Sequence, residues 1–327
     1  MKDSPKNTEI KRVAVLLPNK KFLGALIVLI PFLRGLRKIF PGAGVTLFSP
    51  RQEIRIIDGI GLFDDIFIND LTGGIGGFLS VIKELRNGGY DILFTLRRKS
   101  ERDWLLNILS GIRTKVGFKR KYSPLIYDYC FKYDKKTYRA ANFLKLLKPF
   151  TVKTIEYGKI FPEYKCRTSP SVWLIPCGSK KEKLWPLENY IELARRIIRE
   201  LNKKVLFVLG PEEKEYRGSI AEKLGELVAD IEFLDETAKA SELIGEVKNC
   251  IVAVSNDCGP GHVPQISGNI SLILFNGKYE DVYEWVNRDG RAMEIVSDGG
   301  IDKIKVDRIM DILNEMPEAV AGRERTG

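Results

Sequence analysis

The chain has 327 residues, of which 44% are hydrophobic and 29% charged, and it carries a net charge of +10 at neutral pH. This balance belongs to a globular protein and excludes a disordered chain, a collagen-like fibre and a polytopic membrane protein. The length suits two domains of about 150 residues each. The longest apolar run, Phe22 to Leu33, is interrupted by Pro31 and falls short of the about 20 residues that span a bilayer. Met1 to Glu9 carries no apolar signal-peptide core, so the expected address is the cytoplasm. Cys130, Cys166, Cys177, Cys250 and Cys258 form no CxxC pair, so neither a disulfide framework nor a metal site is expected. Charge is uneven: residues 1–150 hold 28 Lys and Arg against 13 Asp and Glu, the remainder 25 against 30. The first half is therefore expected to meet something anionic, whether nucleic acid, a phosphorylated lipid surface or an acidic sugar, with a plain solubilising surface as the bland alternative.

Ile10 to Leu17 reads as a buried first strand, followed by a helix over Leu26 to Ile39 that Pro41-Gly42 stops. Val45 to Phe48, Asp64 to Ile68 and Asp91 to Leu96 read as further strands, with a helix from Leu79 to Arg86. The glycine cluster Gly73-Gly74-Ile75-Gly76-Gly77 reads as a flexible turn rather than a phosphate cradle. The second half repeats the grammar. Strands are expected at Ser171 to Pro176, Lys204 to Leu209, Ile231 to Leu234, Ile251 to Ser255 and Ser271 to Phe275, and helices at Leu187 to Leu201, Glu212 to Leu227 and Ala240 to Asn249. Alternation of strand and helix implies an α/β protein with parallel sheets. The domains are expected at 1–155 and 156–327.

Open parallel sheets bind ligands beyond the carboxyl ends of their strands, where backbone N–H groups and helix N-termini receive phosphate. Three such ends in the second half are chemically loaded. The first is Cys177-Gly178-Ser179-Lys180-Lys181-Glu182-Lys183, whose small residues let backbone approach an oxyanion while a lysine adds charge. The second is Gly210-Pro211-Glu212-Glu213, with carboxylates able to accept from ribose hydroxyls or to favour a helix start. The third is Asn256-Asp257-Cys258-Gly259-Pro260-Gly261-His262, which contains the single histidine of the chain.

These three segments, in this order and continued through Leu184-Trp185-Pro186, resemble the ADP-heptose:lipopolysaccharide heptosyltransferase family. Leu23-Gly24, Pro31, Phe40-Pro41-Gly42-Ala43, Tyr90-Asp91 and Val116-Gly117-Phe118 fall in the family's order as well, so the resemblance runs from about Arg12 to Leu313. It implies a GT-B fold, two Rossmann-like domains with parallel sheets facing across a cleft. The implied activity is transfer of a heptose-like sugar from a nucleotide-diphosphate donor, ADP-linked, to an anionic lipopolysaccharide-core or related envelope-glycan acceptor, without metal or cofactor. It assigns Gly178, Ser179 and Lys183 to the donor diphosphate, with Lys183 stabilising the leaving group. Glu213 is assigned to the nucleoside, and Asp257, Cys258, Gly259, Gly261 and His262 to the phosphate-sugar end. The lipid-linked acceptor implies peripheral contact with the inner face of the cytoplasmic membrane.

One position departs from the family pattern. Heptosyltransferases carry an aspartate directly after the Leu-Gly pair as the base that deprotonates the acceptor, and this chain has Ala25 there. Asn19, Lys20 and Lys21 nearby supply no base at neutral pH. Ser267-Gly268-Asn269-Ile270 also departs from the usual run. Gly24, Arg97, Arg98, Lys99 and Arg102 are expected on the acceptor side, with Lys119, Arg120 and Lys121 adding charge. The same cations lack a nucleic-acid module, so no nucleic acid is expected. Two other readings stand beside the transferase: a catalytically impaired relative that binds a nucleotide sugar or glycan as a sensor or assembly factor, and a nucleotide-sugar epimerase on a similar scaffold.

Overall fold

The β-branched runs of the sequence become two six-stranded parallel sheets in a computed structural model, which describes residues 10–19, 22–69, 74–98, 101–152, 168–178, 180–234, 240–277, 282–288 and 291–316. The chain divides into two units, Met1–Glu156 and Tyr157–Gly327. In the first unit β1 (Arg12–Leu16), β2 (Gly44–Ser49), β3 (Asp65–Ile68), β4 (Ile92–Thr95), β5 (Thr114–Phe118) and β6 (Tyr129–Phe131) lie in the order β3-β2-β1-β4-β5-β6. In the second, β7 (Ser171–Ile175), β8 (Lys204–Val208), β9 (Ile231–Leu234), β10 (Cys250–Asn256), β11 (Ile270–Asn276) and β12 (Ala292–Ser297) lie in the order β12-β11-β10-β7-β8-β9. Every pairing is parallel. Parallel strands are stable when helices cover both faces.

The helices of the first unit are α1 (Leu23–Ile27), α2 (Ile30–Ile39), α3 (Gly74–Asn87), α4 (Glu101–Leu109) and α5 (Arg139–Leu144). Those of the second are α6 (Leu187–Leu201), α7 (Tyr216–Leu224), α8 (Ala240–Glu246), α9 (His262–Ile266) and α10 (Val306–Asn314). Val81, Ile82 and Leu85 of α3 and Leu106 of α4 pack on Leu16, Phe48 and Leu93 of the first sheet. In the second, Tyr190, Ile191, Ala194, Ile197 and Ile198 recur along α6 at helical spacing and meet Val172, Leu174 and Val205. In each sheet the strand order reverses beside a central pair, β1/β4 and β7/β10, and the crevice at such a reversal is where open α/β sheets take ligands.

The single helix expected over Leu26 to Ile39 is two, α1 and α2, because Pro31 lacks an amide donor and its ring clashes with the carbonyl four residues back; it is accommodated in the first turn of α2. Of the glycine cluster, expected as a turn before a helix at Leu79, Gly74 to Gly77 instead form the opening of α3, with Gly74 at φ +83°, and Gly73 lies outside the described residues. Burial of Val81, Ile82 and Leu85 carries the helix into residues of poor intrinsic propensity. The helix expected over Glu212 to Leu227 is shorter: α7 begins at Tyr216 and stops at Gly225, whose φ is +54°. The residues ahead of it form turns, with Glu213 donating its amide to Gly210 O and Tyr216 to Glu213 O.

Candidate functional site

The loops that follow β7, β8 and β10 meet at the reversal in the second sheet, and one buried side chain fastens the first of them to the third. Asn256, the last residue of β10, donates from Nδ2 to Cys177 O at 3.1 Å. Its Oδ1 accepts from the Trp185 amide at 3.0 Å and from the Tyr190 hydroxyl at 3.1 Å. The Trp185 indole in turn donates to Ile304 O at 2.8 Å. These three bonds hold the end of β7 against the end of β10, a task for which an amide, donor and acceptor on one carbon, is suited.

Within this frame Lys183 Nζ lies 2.5 Å from Asp257 Oδ2, the two side chains 22% and 15% exposed. The Gly178 amide donates to Glu213 Oε1 at 3.1 Å, which brings the loop after β8 into the same group. Glu213 is only 5% exposed, and burial pushes its carboxyl above the ordinary range despite the Gly178 donor. A Cβ at Gly210 would lie 2.7 Å from Glu213 Oε2, and one at Gly178 would lie 2.6 Å from Leu184 Cδ2, so a larger residue at either position would displace the end of that neighbouring side chain. The Cys177 thiol donates to Val208 O at 3.3 Å, and burial pushes it well up. Burial likewise pushes the Cys258 thiol up to about 12. Both are neutral packing groups at physiological pH, not nucleophiles.

His262 opens α9 and is buried. Its Nδ1 lies 3.2 Å from Gln265 Nε2, and its ring packs against Trp285 at 5.4 Å between centroids. Gln265 Oε1 accepts the Asn287 amide at 2.9 Å, which fixes the amide orientation and makes Gln265 Nε2 the donor to the imidazole. Nδ1 is therefore an acceptor and the ring proton sits on Nε2.

Lys183, Asp257, Gly178 and Glu213 are thus joined by direct contacts, and Cys258, Gly259, Gly261 and His262 follow Asp257 on the same loop. Glu213, expected to hold a nucleoside, is buried and accepts the Gly178 amide through Oε1, while Glu212 beside it is exposed. Ser179 lies outside the described residues. Sequence reasoning quoted Asn256 and Trp185 within their motifs but gave them no role. The available signal was a polar residue closing an apolar strand.

In the first unit, Gly24 and Ala25 are buried in α1, where the Ala25 amide donates to Phe22 O at 3.0 Å. The short 3-10 turn Gln52–Ile57 packs against α1. Arg51 at its start donates to Asn19 Oδ1 at 2.6 Å and pairs with Glu53 at 3.9 Å. Arg97, expected on the acceptor side, makes two contacts within the first unit. Its Nε donates to Leu17 O at 2.5 Å and its Nη1 pairs with buried Asp103 at 2.9 Å, so it ties the ends of β1 and β4 together. Arg98 stacks over the Tyr133 ring at 3.9 Å, and Arg102 is exposed. Lys99, Lys20 and Lys21 lie outside the described residues. Among the described residues no group of three His, Cys, Asp or Glu stands close enough to hold a metal ion.

The sequence model of glycosyltransferase family 9 (heptosyltransferase) matches residues 78–269, more than half of the chain. The chain belongs to this family. It is a glycosyltransferase of the heptosyltransferase type, and the epimerase reading gives way to this one. The lipopolysaccharide core heptosyltransferase OpsX of Haemophilus influenzae is 23% identical over 266 residues, 73% of this chain and 72% of that protein. Among solved structures, the family 9 glycosyltransferase of Veillonella parvula superposes with a TM-score of 0.69 at 19% identity, covering 95% of this chain and 97% of that one. E. coli heptosyltransferase WaaC, solved with ADP and with ADP-2-deoxy-2-fluoro heptose, gives 0.69 and 0.67 at 12% and 14% identity, covering 93% of this chain and 99% of each. These structures share the GT-B arrangement of two α/β units with parallel sheets.

Proposed function

We propose that this family 9 transferase moves a heptose-like sugar from an ADP-linked donor, held by the second unit, to an anionic lipopolysaccharide-core or related envelope-glycan acceptor, received by the first. The Lys183–Asp257 pair at the strand-order reversal carries the reading. As the glycosidic bond to the donor breaks, the diphosphate leaving group gains negative charge, and the Lys183 ammonium with the backbone amides of Cys258 and Gly259 offsets it. Asp257 fixes the position of that ammonium, and no cofactor is needed for this chemistry. The relatives support the substrate class: OpsX is a lipopolysaccharide core heptosyltransferase, and WaaC was solved with ADP and an ADP-sugar. The acceptor is lipid-linked, so the enzyme works in peripheral contact with the inner face of the cytoplasmic membrane. Calorimetry with ADP, UDP and GDP tests the donor, followed by turnover of the ADP-sugar with lipopolysaccharide-core acceptors. Tightest binding of ADP is expected, and absence of ADP binding overturns the reading.

Ala25 favours a second reading, in which the protein binds a nucleotide sugar or glycan as a sensor or assembly factor and transfers it slowly or not at all. An alanine takes no proton, and loss of a general base costs about 10² to 10⁴ in rate. Donor binding without measurable transfer to any acceptor distinguishes it.

A further inference from the structure

Helix α4 has its polarity partly reversed. It buries Asp103 and Asn107 and turns Leu105 and Ile108 outward, 50% and 57% exposed. The buried polar side chains find partners inside the unit: Asp103 Oδ1 pairs with Arg97, and Asn107 Nδ2 donates to Thr95 Oγ1 at 3.0 Å and to Asp103 O at 2.7 Å. A surface helix facing only water presents the opposite pattern.

The outward face does not end with the helix. Trp104 meets Tyr122 edge-on at 5.8 Å, and Tyr122 leads into the 3-10 turn Ser123–Leu125 that follows β5. Residues three apart in such a turn eclipse one another. Tyr122 is 49% exposed and Leu125 85% exposed. Cations stand beside these apolar side chains: Arg120 stacks over Trp104 at 5.0 Å, Lys121 lies over Tyr122 at 5.3 Å, and Lys119 is exposed. Nine Lys or Arg and two acidic residues fall between positions 97 and 121.

We infer that α4 and the turn after β5 form a docking face for an anionic lipid bilayer, with Leu105, Ile108 and Leu125 entering the acyl boundary and Lys119, Arg120 and Lys121 meeting the headgroups. Aliphatic side chains ringed by cations, with an interfacial tyrosine and tryptophan, match both components of an anionic membrane surface. A purely aqueous anion explains the cations but not the exposed leucines. The face follows the carboxyl ends of β4 and β5, the edge at which the first unit is placed to receive its acceptor. It deepens the proposed function, on which it rests for the lipid-linked acceptor, by naming the surface that meets the lipid.

The test is co-sedimentation of the full chain with vesicles of phosphatidylcholine alone and of phosphatidylcholine with phosphatidylglycerol. Stronger binding to the anionic vesicles is expected. Leu105→Ser with Ile108→Ser, and separately Leu125→Ser, should weaken it by about ten-fold or more at fixed salt. Lys119→Glu with Lys121→Glu should weaken it by about five-fold per residue removed, with a shallower salt dependence. All variants should keep the wild-type melting temperature and ADP affinity. Anionic-vesicle binding that the aliphatic variants leave unchanged overturns the proposal. So does loss in those variants of a dimer seen by sedimentation velocity with no vesicle binding, since the face then serves a second copy. ADP binding without vesicle binding removes the docking face and leaves the donor reading; vesicle binding without ADP binding does the reverse.

Discussion

Lys183 Nζ and Asp257 Oδ2, 74 residues apart in sequence, stand 2.5 Å apart across the loops that follow β7 and β10. Lys183→Ala should weaken ADP binding by about 1.5 to 3 kcal/mol, the range for a hydrogen bond to a charged group. That is roughly a ten- to hundred-fold rise in Kd. Titration calorimetry reads it directly, and an unchanged Kd removes Lys183 from the diphosphate site.

Asn256→Ala removes the side-chain partner of two buried groups, the Trp185 amide and the Cys177 carbonyl, and leaves the Tyr190 hydroxyl only Ile175 O at 3.3 Å. A stability loss of about 3 kcal/mol is expected in urea denaturation. A loss below about 1 kcal/mol would mean that the frame does not depend on this amide.

Glu213 supplies a pH dependence whose sign is fixed. Burial holds its carboxyl above the ordinary 4.5, so the folded protein keeps this proton more tightly than the unfolded chain. The group's contribution to stability is complete below about 4.5 and is lost as pH rises through the raised value. Glu213→Gln keeps an acceptor for the Gly178 amide and does not titrate. The unfolding free energy of the variant relative to wild type should therefore climb as pH rises above about 4.5 toward neutrality. A difference that stays flat over this range would show that Glu213 does not titrate differently on folding.

Position 25 separates binding from chemistry. The donor-holding residues lie in the second unit and Ala25 in the first, so wild-type protein should bind an ADP-sugar yet transfer it slowly. Ala25→Asp should raise transfer by about ten-fold or more, the lower part of a general-base effect with imperfect placement. Brisk wild-type turnover that Ala25→Asp leaves unchanged would assign proton removal to another carboxylate. Glu53, on the turn packed against α1, is the variant to make next, as Glu53→Gln.

Much of the fold was legible because parallel strands buried on both faces leave continuous apolar runs: β1, β7, β8 and β11 stand out in the sequence, and α6 was read with both ends correct. Legibility failed where tertiary packing overrode local preference. Glycines of low helix propensity open α3, and the inverted polarity of α4 conceals a helix whose inner face is polar. The donor loops were visible as segments because glycine, lysine and aspartate cluster at strand ends, but the jobs within them were not. Glu213 reads as a ligand group until the Gly178 amide is found on it. Arg97 reads as a surface cation until Leu17 O and Asp103 are found to hold it. Motif glycines divide in the same way: a Cβ at Gly117 would strike the Tyr127 ring at 2.6 Å, so that residue belongs to packing and not to a ligand.

The strand order has a consequence for synthesis. β7 is paired with β8 on one side from early on, but its other neighbour, β10, begins 79 residues after β7 does. At a translation rate of about 5 to 20 residues per second, the apolar inner edge of β7 waits roughly 4 to 16 seconds for its partner to leave the ribosome. During that interval Cys177 O, Trp185 and Lys183 have emerged, while Asn256 and Asp257, which will hold them, have not. The donor loops are therefore assembled late and together, and a nascent chain arrested before residue 256 should present an open sheet edge that recruits a chaperone.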